Sequence, residues 1–311
     1  MQKNILVIGG TRYFGKLLVH GLLQAGHRVT LATRGHAADG WGERVRRIRV
    51  DRRDAAAMRT AFAGGEDYDL VYDQMCYSPL DAAISAWVFT GRVQRYVMAS
   101  TIEVYRSMVG LQNRPFAEAD WDASQETIDM DYPWHDPALA EESYARGKRQ
   151  AEAYLYRHSG LPVVTVRIGH VLGGPEDFTG RLAHYVDLAR SHTPLRYTSD
   201  AGASSFLYPQ AISDFLVWVG MQDFVGPVNA ACNGALSAPE LHRRVGEALG
   251  LPVYTAVDTS PLHGIGLSPF DYPAPYTMDT SRAGALGYHF GHLYKGLAHL
   301  VRQHRPSALA A

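Results

Sequence analysis

Tyr144 and Lys148 stand four residues apart in the stretch ESYARGKRQAEAYL, residues 142–155. On a helix that spacing puts both side chains on one face. Free tyrosine titrates near ~10. A lysine ammonium a few ångströms away favours the phenolate and lowers that value. Such a tyrosine exchanges a proton with a substrate hydroxyl or ketone near neutral pH. The pair alone also fits an amphipathic helix with a solvated lysine, so its weight depends on its company. Upstream, MASTIEVYR (residues 98–106) ends an apolar run with the hydroxyls of Ser100 and Thr101, followed by the carboxyl of Glu103. A parallel strand that ends there delivers these groups to its carboxyl edge, where open α/β sheets bind ligands.

A second constellation lies in NILVIGGTRYFGKLL, residues 4–18. An apolar run enters Gly9 and Gly10, Gly15 follows, and a helical periodicity of Leu17, Leu18, Leu22 and Leu23 runs to Gly26. Strand, glycine turn and helix N-terminus form an anion site: free amides and the helix dipole favour negative charge, and glycine lets the backbone approach a pyrophosphate. Arg12 occupies the middle glycine position of a G-x-x-G-x-x-G loop. The next strand ends TLATRGH (residues 30–36) with no acid to bind a ribose 2′-hydroxyl and with Arg34 where a 2′-phosphate needs a cation. The two arginines tilt the cofactor toward NADP over NAD. Asp51, after the third apolar run, is within reach of an adenine amino group.

These sites need a scaffold. Apolar runs at Ile5–Ile8, Val29–Ala32, Val45–Val50, Leu70–Tyr72, Tyr96–Ala99 and Val163–Arg167 alternate with helical patterns, which predicts a parallel sheet covered on both faces. Further helices are predicted at Arg181–Ala189, Pro239–Leu249 and Tyr294–Arg302. The acidic, aromatic stretch Phe116–Pro137 has no period and reads as a surface loop. Pro306–Ala311 reads as a frayed tail. The fold class expected is α/β: a Rossmann-type doubly wound parallel sheet with a smaller C-terminal substrate-binding lobe. Residues 1–172 would form the NAD(P)-binding domain, with later contributions near 206–232, and 173–311 mainly the lobe.

The glycine loop, the S-T-x-E-V-Y segment and YxxxK occur in one order and together resemble the extended and atypical short-chain dehydrogenase/reductases, the NAD-dependent epimerase/dehydratase group; the loop is similar to the atypical GGxxxxG branch. VRIGHVLGGP (166–175) resembles the group's RPGNVYGP, VNAACNGALSAPEL (228–241) its substrate-domain turn and helix, and MDTSRAGALGY (278–288) a C-terminal segment. The resemblance implies Tyr144 as acid/base, Lys148 as its tuner and a ribose ligand, and Thr101 as the hydroxyl that binds the reacting oxygen. The cofactor site expected comprises Gly9, Gly10, Thr11, Arg12, Tyr13, Phe14, Gly15, Arg34, Asp51, Arg52, Lys148, Gly169 and Val171; the resemblance implies that Gly9, Gly10 and Gly15 cradle the pyrophosphate and that Gly169 lies near the nicotinamide carboxamide. Glu103 matches the base of the sugar-nucleotide dehydratases, but their acid partner is Ile102 here, which cannot protonate a leaving hydroxyl. Glu103 therefore reads either as a substrate-polarising group or as a satisfied buried acid. The arginine expected before FLYPQAISDF (206–215) is replaced by Ser204 and Ser205, which weakens the case for a nucleotide-diphosphate substrate.

Composition bounds the rest. The net charge of −1 provides no global field for nucleic acid or membrane. Cys76 and Cys232 form no CxxC, and His289, His292 and His299 have no carboxylate or cysteine at matching spacing, so no metal is expected. A cytoplasmic location is expected, with no signal peptide and no apolar run near the ~18 residues that span a bilayer. The leading function is NAD(P)-dependent epimerase/dehydratase-like redox at a secondary alcohol or ketone of a sugar-like small molecule. The alternatives are an NADPH-consuming ketoreductase and a nucleotide-sensing or RNA-associated protein without turnover; the arginine-rich run 43–54 lacks the aromatics of a nucleic-acid site. A homodimer is expected through the helices near Leu80–Phe89 and Tyr144–Tyr156, with Ile84, Trp87 and Val88 on the shared face.

Overall fold

A computed structural model describes residues 1–198, 201–258 and 267–304. In chain order it begins β1 (Asn4–Ile8), α1 (Tyr13–Gln24), β2 (Arg28–Thr33), β3 (Val45–Arg49), α2 (Ala55–Phe62), β4 (Leu70–Asp73), α3 (Pro79–Phe89), β5 (Tyr96–Thr101), α4 (Tyr144–His158) and β6 (Val163–Ile168). It continues with β7 (His170–Val171), α5 (Arg181–Ser191), β8 (Leu195–Tyr197), β9 (Phe206–Leu207), α6 (Pro209–Gly220), β10 (Gly226–Ala230), α7 (Ala238–Leu249), β11 (Thr255–Val257), α8 (Ser281–Ala285) and α9 (Leu293–Gln303). The segment Pro306–Ala311 lies outside the described residues.

Seven strands form one sheet in the order β10-β6-β5-β4-β1-β2-β3, and β1 to β6 pair in parallel. Because both faces are covered, β1, β4, β5 and β6 are buried at every position and must be near-continuous apolar runs. The edge strand β3 differs: only Val45 is buried, while Arg46, Arg47 and Arg49 are exposed. Charge on an edge blocks pairing with another chain, which accounts for the arginine-rich run. α1 buries Leu18, Val19 and Leu22, each worth about 1.5–3 kcal/mol of apolar transfer, and Gly26 at φ +80° ends it. The chain leaves β1 in one direction and returns to β4 on the other side. The carboxyl ends of β1 and β4 therefore flank the switch point where such sheets bind ligands.

The chain divides into two compact units. The first comprises Met1–Val104, Glu118–Ile168 and Gln210–Asn229; the second comprises Tyr105–Ala117, Gly169–Pro209 and the described part of Ala230–Ala311. Residues 105–117, expected with the first domain, group with the second unit because Phe116 stacks on Tyr105, meets Tyr276 edge-on and bonds the carbonyl of Thr277 through its amide. The second unit also holds the short pairs β7–β9 and β8–β11 and the helices α5, α7, α8 and α9.

Two expectations need correction. The stretch Phe116–Pro137 is not simply surface: Phe116, Glu118, Trp121, Ala123 and Trp134 are buried. Its aromatics lack a period because its backbone is irregular, not because they face water. Ile84 and Val88 belong to the core of the first unit and Trp87 alone of the three is exposed, with the Arg59 guanidinium 5.0 Å over its ring.

Candidate functional site

β1 delivers the chain into Gly9 and Gly10, at φ +92° and +86°, a region closed to most side chains. A Cβ on Gly10 would stand 2.8 Å from Val7 Cγ1 and 3.1 Å from Val19 Cγ2, so the turn lies directly on the core. A Cβ on Gly15 would meet Gly10 Cα at 2.9 Å and overlap Gln74 Oε1. Arg12 is extended and exposed, and Tyr13 opens α1 at φ +53°, strain of about 1–3 kcal/mol that accumulates at functional turns. The first turn of α1 carries no acid and no side-chain cap. The half-buried Gln74 follows β4, and its Nε2 is buried with no hydrogen-bond partner among the described residues. Left-handed glycines, an uncapped helix start and an orphaned amide donor fit a dinucleotide pyrophosphate. Thr11 and Phe14 are half-buried beside them.

At the ends of the next two strands the side chain of Arg34 is exposed, and its carbonyl accepts Arg49 Nε at 3.1 Å. The Asp51 carboxylate accepts the Arg53 amide and so closes the turn into α2. Arg52 departs from its expected role at the cofactor. It is drawn inward to Asp73, Asp81 (3.0 Å) and Ser85 (2.9 Å), because a buried guanidinium needs charged partners and both carboxylates are interior. Asp81 also accepts the Tyr77 amide and bonds His135 Nε2.

α4 carries Tyr144 and Lys148 on one face. Lys148 is 2% exposed, and its Nζ donates to the Ala99 carbonyl at 2.7 Å. It lies 4.2 Å from the centroid of the Tyr77 ring and 6.0 Å from that of Tyr144. Burial lowers its pKa to about 8, against the pull of the carboxylates of Asp73, Asp81 and Glu152. Thr101, at the end of β5, is buried, and its Oγ1 accepts the amide of the half-buried Glu103. The structure therefore brings Lys148, with Tyr144 on the same helix face, onto β5 at Ala99, two residues before Thr101 and four before Glu103, all within the first unit.

Several contributors were not foreseen. Gly147 is the residue that lets α4 lie on the Tyr77 peptide: a Cβ there would overlap the Tyr77 carbonyl oxygen and meet Trp134 Cζ3 at 3.3 Å. Glu152 continues the Tyr144–Lys148 spacing by another four residues. It accepts Ser100 Oγ and pairs with Arg167, at 2.9 Å from Nη2, with both residues essentially unexposed. Arg167 also donates to the Glu118 carbonyl at 2.9 Å and places its guanidinium 4.8 Å from the Trp121 ring. A signal for this network existed: an arginine in an otherwise apolar strand needs an acid, and Glu152 falls on the same helix face as the lysine. Gly169 and Val171 belong to the second unit, where a Cβ on Gly169 would crowd the Ser205 carbonyl at 3.1 Å and Val171 pairs with Leu207. Among the described residues no group of three or more His, Cys, Asp or Glu side chains is placed to hold a metal, and no helix is long and apolar enough to cross a membrane.

Residues 5–201 match the model of the NAD dependent epimerase/dehydratase family. The chain is similar to 2′-dehydrokanamycin reductase of Streptomyces kanamyceticus, 34% identical over 99 residues. It is also similar to the chloroplast stem-loop binding protein of 41 kDa b of Arabidopsis thaliana, 33% identical over 86 residues. The matched segments span 32% and 23% of this chain and only 28% and 22% of those relatives. The fold is that of the solved UDP-glucose 4-epimerase of Thermus thermophilus in complex with NAD, with a TM-score of 0.66 and 18% identity, covering 96% of this chain and 98% of that one.

Proposed function

The chain belongs to the NAD dependent epimerase/dehydratase family, and from that membership we propose that it interconverts a secondary alcohol and ketone on a sugar or sugar-like small molecule, with Tyr144 as the acid/base. One observation carries this reading: a buried ammonium, held on the Ala99 carbonyl of β5, shares a helix face with Tyr144. The nicotinamide cofactor, when bound, supplies reversible hydride acceptance. The residues of the chain supply the rest. The glycine loop and the α1 amides hold the pyrophosphate. Tyr144 takes the proton from the substrate hydroxyl or returns it to the ketone oxygen, and the Lys148 charge stabilises the phenolate that results. Thr101 orients the reacting oxygen, and Glu103 positions or polarises the substrate. Arg12 and Arg34, both exposed and with no acid at the end of β2, favour NADP. A homodimer through α3 and α4, with Trp87 as the exposed apolar anchor, belongs to the same proposal; light scattering that reports a monomer would remove it.

A second reading is a net ketoreductase that consumes NADPH; the similarity to a reductase over 99 residues and the two arginines favour it. A nucleic-acid role draws less support, because Arg47 is paired with Asp39 and Arg49 is bonded to a backbone carbonyl.

The test begins with purified protein, denatured to identify any retained nucleotide, and with titration of the emptied protein by NADH and NADPH. Retained NAD(H) favours transient cofactor use and counts against the NADP reading. An empty site that prefers NADPH supports the reductase. Tyr144→Phe should cut turnover about 10²- to 10⁴-fold with cofactor affinity unchanged; unchanged turnover removes Tyr144 from its role.

A further inference from the structure

A buried ammonium needs more than one partner, and among the described residues the usual partner, a touching carboxylate, is missing from Lys148. Its Nζ forms one hydrogen bond among them, to the Ala99 carbonyl. The acids around it act at longer range. Asp73, at the end of β4, and Asp81, in α3, already share the Arg52 guanidinium, and Glu152, one turn on in α4, is committed to Arg167 and Ser100. Cys76 is buried, and burial holds its thiol well above its ordinary pKa, so it is neutral. The nearest electron-rich surface is the ring of Tyr77, 4.2 Å from the ammonium, against 6.0 Å for Tyr144. At that distance a cation is attracted by the negative face of the ring, most strongly where water is excluded.

Tyr77 is also fixed at both ends of its backbone. Its amide donates to Asp81 Oδ2 at 2.9 Å, and its carbonyl is covered by Gly147, the residue before Lys148. Its ring lies 6.1 Å from that of Tyr144, tilted by 45°. We infer that the face of Tyr77 is the second anchor of the Lys148 ammonium, which makes Tyr77 a positioning residue for the Tyr144–Lys148 pair. The inference rests on the reading of that pair as the proton-transfer machinery. An ammonium has three donors; the Ala99 carbonyl takes one, the Tyr77 face takes another, and one has no partner among the described residues and is available to the reacting side.

The test reads the lysine directly. The chain has four lysines, and Lys148 is the buried one among them. In ¹⁵N-lysine-labelled, cofactor-free protein its titration is followed by NMR in wild type, Tyr77→Phe and Tyr77→Leu. Tyr77→Phe keeps the ring and should titrate as wild type. Tyr77→Leu should titrate about one pH unit lower, and the alkaline limb of turnover should move down with it. Because leucine could disturb packing, a series of progressively fluorinated phenylalanines at position 77 keeps the shape and drains the ring face; the Lys148 midpoint should fall stepwise along it. A midpoint that is flat along the series, or the same in Tyr77→Leu as in wild type, overturns the inference. A midpoint that follows the series in a protein that binds neither NADH nor NADPH leaves the hold of Tyr77 on Lys148 intact and overturns the enzymatic reading instead.

Discussion

Replacing Gly147 by alanine sets two known effects against each other. Glycine inside a helix costs about 1 kcal/mol relative to alanine, so propensity alone predicts a more stable protein. The site predicts the reverse. The added Cβ would overlap the Tyr77 carbonyl oxygen and approach its carbonyl carbon at 3.4 Å and Trp134 Cζ3 at 3.3 Å. None of these is the free end of a flexible side chain. Tyr77 cannot retreat easily, since its amide is bonded to Asp81, itself held by Arg52. α3 and α4 must therefore separate by about 1 Å, and overpacking of this kind costs about 1–3 kcal/mol. The clash outweighs the propensity gain, for a net loss of up to about 2 kcal/mol. The displaced atoms include Lys148 and Tyr144, and a misplacement of about 1 Å near the chemistry can lower turnover by about 100-fold. Urea denaturation, cofactor titration and turnover together provide the assay. A Gly147→Ala protein at least as stable as wild type and equally active would refute this account of the α4 contact.

Further predictions concern the buried charges. Glu152→Leu strands the Arg167 guanidinium, which is 1% exposed, and should cost about 3–5 kcal/mol, whereas Glu152→Leu combined with Arg167→Leu should recover much of it; simple additivity in denaturation would contradict the pairing. Burial raises the Asp81 carboxyl, but the Arg52 charge and the hydrogen bonds from His135 and the Tyr77 amide together outweigh it and hold the value at about 2, below the ordinary 3.8. Since the folded value is the lower one, the stabilisation is complete above about pH 4 and is lost as pH falls toward 2, roughly 2 kcal/mol in all. Asp81→Asn should flatten this part of the acid-unfolding curve; an unchanged curve would assign the acid sensitivity to other groups.

Local signals made much of the fold legible. Each of the six runs became a strand: five because a sheet covered on both faces needs continuous apolar segments, and β3, with its exposed arginines, as the charged edge. The helical stretches singled out in the sequence became α1, α3, α4, α5, α7 and α9 near their expected bounds, whereas α2, α6 and α8 were not singled out. Arg52 and the stretch 116–137 were misread for a related reason: burial is not a local property. Asp51 at the surface and Arg52 in the interior are adjacent in the chain, and only the carboxylates of Asp73 and Asp81, brought from β4 and α3, decide which way the guanidinium turns. Likewise the aromatics of 116–137 carry no period, yet Trp121 and Trp134 find partners on β6 and α4.

The site divides along the same line. The sequence by itself determined the glycine turn at an uncapped helix start, the hydroxyls and carboxyl at the end of β5, and the shared helix face of Tyr144 and Lys148, since each is a matter of spacing within one element or one turn. The tertiary structure decided what surrounds them. It decided that Lys148 would be buried on the Ala99 carbonyl and the face of Tyr77, that Gly147 would be the point of closest approach, and that Glu152 would anchor α4 to β6 through Arg167. These partners lie tens of residues apart in the chain. Dehydrating their charges costs free energy, and the low-dielectric interior that strengthens their mutual attraction in return exists only once the sheet and its helices have closed around it.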